Sequence, residues 1–125
     1  MVEREITDGR RIAELLAAEL EGRSDPPFDA VALVDENWDA EPDGPGGRVF
    51  TVRYAGTSLA DVVIQPDRAH LDLDVGLADA ERAAAANDLR ARPKATTPPG
   101  LLVFVENGAA VKRATDVLVA AAKSV

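Results

Sequence analysis

Between residues 49 and 75 three short β runs follow one another, parted by tight turns, and this constrains the chain more than any other feature. From Val49 to Ala55 the side chains alternate, with Phe50, Val52 and Tyr54 on one side and Thr51 and Arg53 on the other. A period of two belongs to a strand with one buried face. Gly56-Thr57 makes a turn, and a second strand follows from Leu59 to Gln65 around Val62, Val63 and Ile64. Pro66-Asp67 then sets a proline where a type I turn favours it. Ala69 to Val75 alternates again, with Leu71, Leu73 and Val75 toward the core. Consecutive strands joined this closely form an antiparallel meander.

The flanking segments supply helices. Thr7-Asp8 caps a first helix, in which Ile12, Leu15, Leu16 and Leu20 recur at helical spacing until Gly22 and Asp25-Pro26-Pro27 end it. Ala30 to Val34 predicts a strand, and residues 35–47, rich in Asp, Pro and Gly, predict a surface loop. Leu77 to Leu89 predicts a helix, because Ala83 to Ala86 is a run of the best helix former. Arg90 to Gly100, with three prolines and two threonines, predicts a loop. The unbroken apolar run Leu101 to Val105 predicts a strand buried on both faces. Asn107-Gly108 opens a last helix to about Lys123, with Val111, Ala114, Leu118 and Ala121 on one face. The expected order is α-β-β-β-β-α-β-α. This is a single α+β domain over residues 1–125, a mostly antiparallel sheet of about five strands with three helices on one face.

Charge says more about environment than about chemistry. The chain carries 22 Asp plus Glu against 14 Lys plus Arg, a net charge of -8, and only three of the basic residues are lysine. In dilute buffer such a surplus repels itself, whereas about 1 M salt shortens the Debye length to about 3 Å and screens it. The balance therefore implies a fold that loses structure as salt is withdrawn. With no cysteine there is no disulfide, thiolate nucleophile or thiolate metal site, and a single histidine leaves no zinc site of usual composition. No metal or cofactor is expected. The opening Met1-Val2-Glu3-Arg4-Glu5 is charged and lacks the apolar core of a secretory signal, and no apolar stretch reaches the length of a membrane span. A cytoplasmic location is the simplest reading.

Five of the fourteen basic residues, Arg90, Arg92, Lys94, Lys112 and Arg113, crowd into one segment whose only carboxylate is Glu106. The proline-stiffened stretch from Arg92 to Gly100 also holds Thr96 and Thr97, and the strand after it leads to the helix start at Asn107-Gly108. Free amides at a helix start, aided by the helix dipole, receive anions. Arg90, Arg92, Lys94, Thr96, Thr97, Asn107, Gly108, Lys112 and Arg113 are therefore candidate ligands for a phosphate, a nucleotide or an RNA backbone. The plainer reading is charge pairing with neighbouring carboxylates. The segment has no Walker pattern. His70, Asp72 and Asp74 share one strand face by period two, as candidate metal ligands or acid–base groups or, more simply, as a solvated acidic row. Trp38, the only tryptophan, is a candidate interface residue, or else folds back over the core edge. Arg4, Arg10 and Arg11 are expected to pair with Glu14 and nearby acids. The alanine-rich helices allow close approach, either within the chain or across a homodimer.

The bias toward Asp, Arg, Ala and Val over Lys and Ile resembles the proteins of salt-in halophilic archaea. Along its full length the chain resembles small acidic haloarchaeal proteins of unknown function that open like MVEREITDGRRIAELLAAEL and carry RPKATTPP and VENGAAVKRA near the end. That resemblance implies no activity. The residues themselves favour a non-enzymatic binding or adaptor module, a homodimer or the partner of another protein. One alternative is an RNA- or nucleotide-associated protein using Arg90 to Arg113, which the net charge opposes because polyanions are repelled. Another is an enzyme on an anionic small molecule, with Arg92 or Lys94 holding the anion and Asp72 as base.

Overall fold

The computed structural model describes residues 6–125; residues 1–5, Arg4 among them, lie outside that range. Helix α1 (Gly9–Glu21) starts as its sequence demands, with the Asp8 carboxylate accepting the backbone N–H groups of Arg10 and Arg11. A 3-10 turn, Phe28–Ala30, leads into β1 (Val31–Val34). The meander follows as β2 (Gly47–Tyr54), β3 (Thr57–Gln65) and β4 (Arg68–Leu73). Then come α2 (Leu77–Ala86), β5 (Ala91–Lys94), β6 (Gly100–Val105), a 3-10 turn at Gly108–Ala110 and α3 (Val111–Lys123). The fold is α+β. Among the described residues its sheet has six antiparallel strands in the spatial order β1-β2-β3-β4-β6-β5.

The sixth strand corrects the expected order. Ala91–Lys94 is β5, not loop, and among the described residues it pairs only with β6. Pro93 disguises it, since proline removes a ladder donor; at a sheet edge that donor is not needed on the outer side. Helix α2 also ends three residues before Leu89. The Asn87 side chain donates to the Ala83 carbonyl at 2.8 Å, and Asp88 turns into the left-handed region at φ 60°. Val75 falls beyond the end of β4 yet still packs against the core.

All three helices contact the sheet, and one apolar cluster fills the space between the two layers. Val62, Leu71 and Val103 lie opposite one another across β3, β4 and β6, and each is fully buried. β2 hides two residues more than strict alternation allows: a register shift between Arg48 and Phe50 turns Val49 inward, and Thr51 is covered on the other face, its hydroxyl donating to Asp61 at 2.6 Å. The alanines serve this packing: α2 and α3 lie side by side, and Ala80, Ala84, Ala114 and Ala121 are buried within the chain.

The loop from Asp35 to Gly46 is fastened from both sides. Arg10 of α1 donates to the carbonyls of Trp38 and Ala40, the latter at 2.9 Å, and Arg48 donates to that of Asp35 at 2.9 Å. Arg10 is thus a loop anchor rather than a partner of Glu14; Arg11 makes that contact at 3.2 Å. Trp38 folds back on the core, its ring centroid 5.6 Å from that of Phe50, with its Nε1–H donating to Glu36.

Candidate functional site

Alternation along each strand determines what the other face of the sheet presents, because residues between the buried ones must point away from the helices. On β4 these are Arg68, His70 and Asp72; on β6, Leu102 and Phe104; on β5, Arg92 and Lys94. Cross-strand register then makes a small lattice. His70 lies opposite Phe104, and Asp72 opposite Leu102, which lies opposite Arg92. Arg90, just before β5, joins this face by accepting the Phe104 N–H on its carbonyl at 2.9 Å. β6 is therefore buried on one face only, a correction to the two-sided burial its unbroken apolar run predicts. Leu102 and Phe104 are half-exposed.

Phe104 organises the site. The Arg68 guanidinium carbon lies 4.3 Å from its ring centroid and that of Arg90 5.4 Å, both in the range of cation–π attraction. The Arg68 Nε–H donates to Gln65 at 2.9 Å, which orients its plane. Arg90 is offset by Glu106 at 3.4 Å. The Arg92 side chain has no hydrogen-bond or ion-pair partner among the described residues. Arg68, Arg90, Ala91, Arg92 and Phe104 line an open hollow of about 470 Å3. Positive charge is thus in surplus here, on a chain whose net charge is -8.

Beside it the charges cancel. Lys94 reaches diagonally over Gly100 to both Asp72 oxygens, at 3.0 and 3.2 Å. Glycine makes room for that reach, since a Cβ at residue 100 would stand 3.3 Å from Lys94 Cδ. His70 is only 7 % exposed, its ring meeting Phe104 edge-on at 6.0 Å, and its Nδ1 is buried without a partner among the described residues. Burial holds the His70 imidazole below its ordinary 6.5; Asp72 opposes this, while Arg68 and Lys94 reinforce it. The folded state therefore resists the proton that the unfolded chain accepts. Stability from this group is full above pH 6.5 and falls as the pH drops from there toward the depressed native value. The melting temperature is expected to fall between pH 7 and pH 5, and a His70→Gln variant to show a flatter curve in that interval.

The remaining sequence candidates lie elsewhere. The Asn107 side chain accepts the Ala110 N–H at 3.0 Å, and the Gly108 N–H donates to the Ile6 carbonyl at 2.8 Å, so that amide is already used. Arg113 donates to the Asn87 carbonyl at the end of α2, and Lys112 is exposed on α3 in the helical layer. Thr96 and Thr97 are exposed in the β5–β6 connection, where the Thr96 hydroxyl donates to the Pro98 carbonyl. Asp74 falls outside β4, so it does not continue the His70–Asp72 row. No group of three His, Cys, Asp or Glu side chains among the described residues is arranged to hold a metal ion, and no helix is long and apolar enough to cross a membrane. Sequence reasoning missed Arg68 and Phe104. The signal was present in the period-two row of Arg68, His70 and Asp72, which marks an outward face that an adjacent strand must share.

No curated protein and no solved structure matches the chain. A family model described as a family of unknown function, DUF7993, matches residues 1–125, and the chain belongs to that family.

Proposed function

We propose that this chain is a non-enzymatic binding module of a salt-rich cytosol, and that it holds an anionic ligand on the helix-free face of its sheet. The carrying observation is the group of Arg68, Arg90 and Arg92 around Phe104, in surplus over nearby acids on an otherwise acidic protein. Guanidinium groups bind phosphate and carboxylate through paired, charge-assisted hydrogen bonds. The non-enzymatic reading is supported by the state of the acid–base candidates. Asp72 is engaged by Lys94, and His70 is buried against Phe104. The acidic surface elsewhere suits a concentrated salt medium, where screening removes its self-repulsion.

The test is a titration of 15N-labelled protein with inorganic pyrophosphate, in the lowest salt at which circular dichroism shows the fold intact. Amide shifts are expected in β4, β5 and β6. The double variant Arg90→Glu, Arg92→Glu is expected to weaken binding by at least about tenfold, since one lost charged hydrogen bond is worth about 1.5–3 kcal/mol. Shifts confined to Asn107–Arg113, or none, would refute the open-face site.

A further inference from the structure

The arginine group differs from a plain anion site in being built on an aromatic ring. Phosphate recognition alone needs no ring; Arg92, unpaired among the described residues, would suffice. Here two guanidiniums lie over Phe104, and Gln65 orients that of Arg68. A guanidinium held on an aromatic face is itself a flat, delocalised platform, on which a planar heterocycle stacks. The hollow of about 470 Å3 is of the size that takes a small organic ligand, larger than one phosphate needs.

Resting on the anion-binding reading, we propose that the ligand is a nucleoside phosphate, its base stacked on the Arg68–Phe104 pair and its phosphate held by Arg92. The local charge limits its length. Arg90 is offset by Glu106 and Lys94 by Asp72, which leaves Arg68 and Arg92 as the cations without an acidic partner on these three strands. That surplus matches one phosphate rather than a long strand, and the net charge of -8 repels a polyanion. The platform reads area, not base edges: His70, which lies opposite Phe104 and could both donate and accept, is buried. Purines are therefore favoured over pyrimidines by stacking strength alone.

The experiment compares adenosine monophosphate, cytidine monophosphate, ribose 5-phosphate and an adenine hexanucleotide by the same NMR titration. Adenosine monophosphate is expected to bind about tenfold more tightly than ribose 5-phosphate, the size of one stacked base. Cytidine monophosphate should fall between them. Phe104→Leu should weaken adenosine monophosphate more than ribose 5-phosphate and so narrow the gap between the two, and Arg68→Gln should narrow it in the same direction. Equal affinity for adenosine monophosphate and ribose 5-phosphate would overturn the nucleoside inference and leave the anion site standing. So would a Phe104→Leu variant that weakens both ligands alike. Failure of every phosphate compound to bind the folded protein would overturn both readings. A hexanucleotide that binds no more tightly than the mononucleotide supports a free nucleotide; much tighter binding would overturn the single-phosphate limit.

Discussion

Phe50→Ala is expected to destabilise the fold by about 3–5 kcal/mol, the range for truncating a buried aromatic. Phe50 is fully buried on β2, opposite Val62 of β3, and its ring carries Trp38 at 5.6 Å. Truncation leaves a cavity under the sheet and removes the platform of the only tryptophan. Domains of this size are stable by about 5–15 kcal/mol, so the loss is a large fraction of the whole. Chemical denaturation followed by Trp38 fluorescence checks both parts. The midpoint should fall, and native emission should shift to the red as the indole becomes wetter. Native emission unchanged alongside a small shift in midpoint would show that Trp38 is held by the Arg10 and Glu36 contacts instead.

Gly9→Ala should cost about 1–3 kcal/mol although it adds one methyl group, as overpacking does where backbone must move. A Cβ at residue 9 would stand 1.9 Å from the Gln65 carbonyl oxygen and 2.4 Å from that of Arg68. Neither atom belongs to a flexible side chain, so either α1 or the β3–β4 turn must withdraw. The Gly9 N–H bond to the Pro66 carbonyl, at 3.4 Å, would be lost in the process. Displacement at Arg68 reaches the open face, and displacement of α1 loosens Arg10 from the loop it anchors. Thermal unfolding measures the cost. A parallel Gly56→Ala variant, at a turn with open space around it, tests overpacking against backbone strain, because φ is +85° there without any neighbour. Equal losses in the two variants would mean that the contact at Gly9 relaxes freely.

How far the fold was legible depends on range. The meander was visible because a period of two and a short turn each state a local requirement, and β2, β3 and β4 lie close to where Phe50, Ile64 and Leu71 place them. The Asp8 cap was equally local. β5 was hidden because Pro93 is a poor strand residue everywhere except at an edge, and nothing local says which strand is an edge. The run from Leu101 to Val105 misled for a related reason. Its composition states that it is apolar, but the half-exposure of Phe104 follows from where the helices lie.

The candidate site divides in the same way. Arg90, Arg92 and Lys94 stood out as a basic cluster in an acidic chain, since charge density is a property of sequence. Arg68 came to them from more than twenty residues away, through the pairing of β4 with β6 and of β6 with β5. The same pairing spent Lys94 on Asp72 and left Arg113 to the end of α2 on the helical side. Local chain chemistry chose the elements and the acidic, cysteine-free composition. Strand order and register, set by long-range burial of Val62, Leu71 and Val103 beneath three helices, chose which side chains meet on the open face. No short segment encodes that choice, because a sheet face is assembled from residues that only hydrogen-bonded neighbours bring into contact.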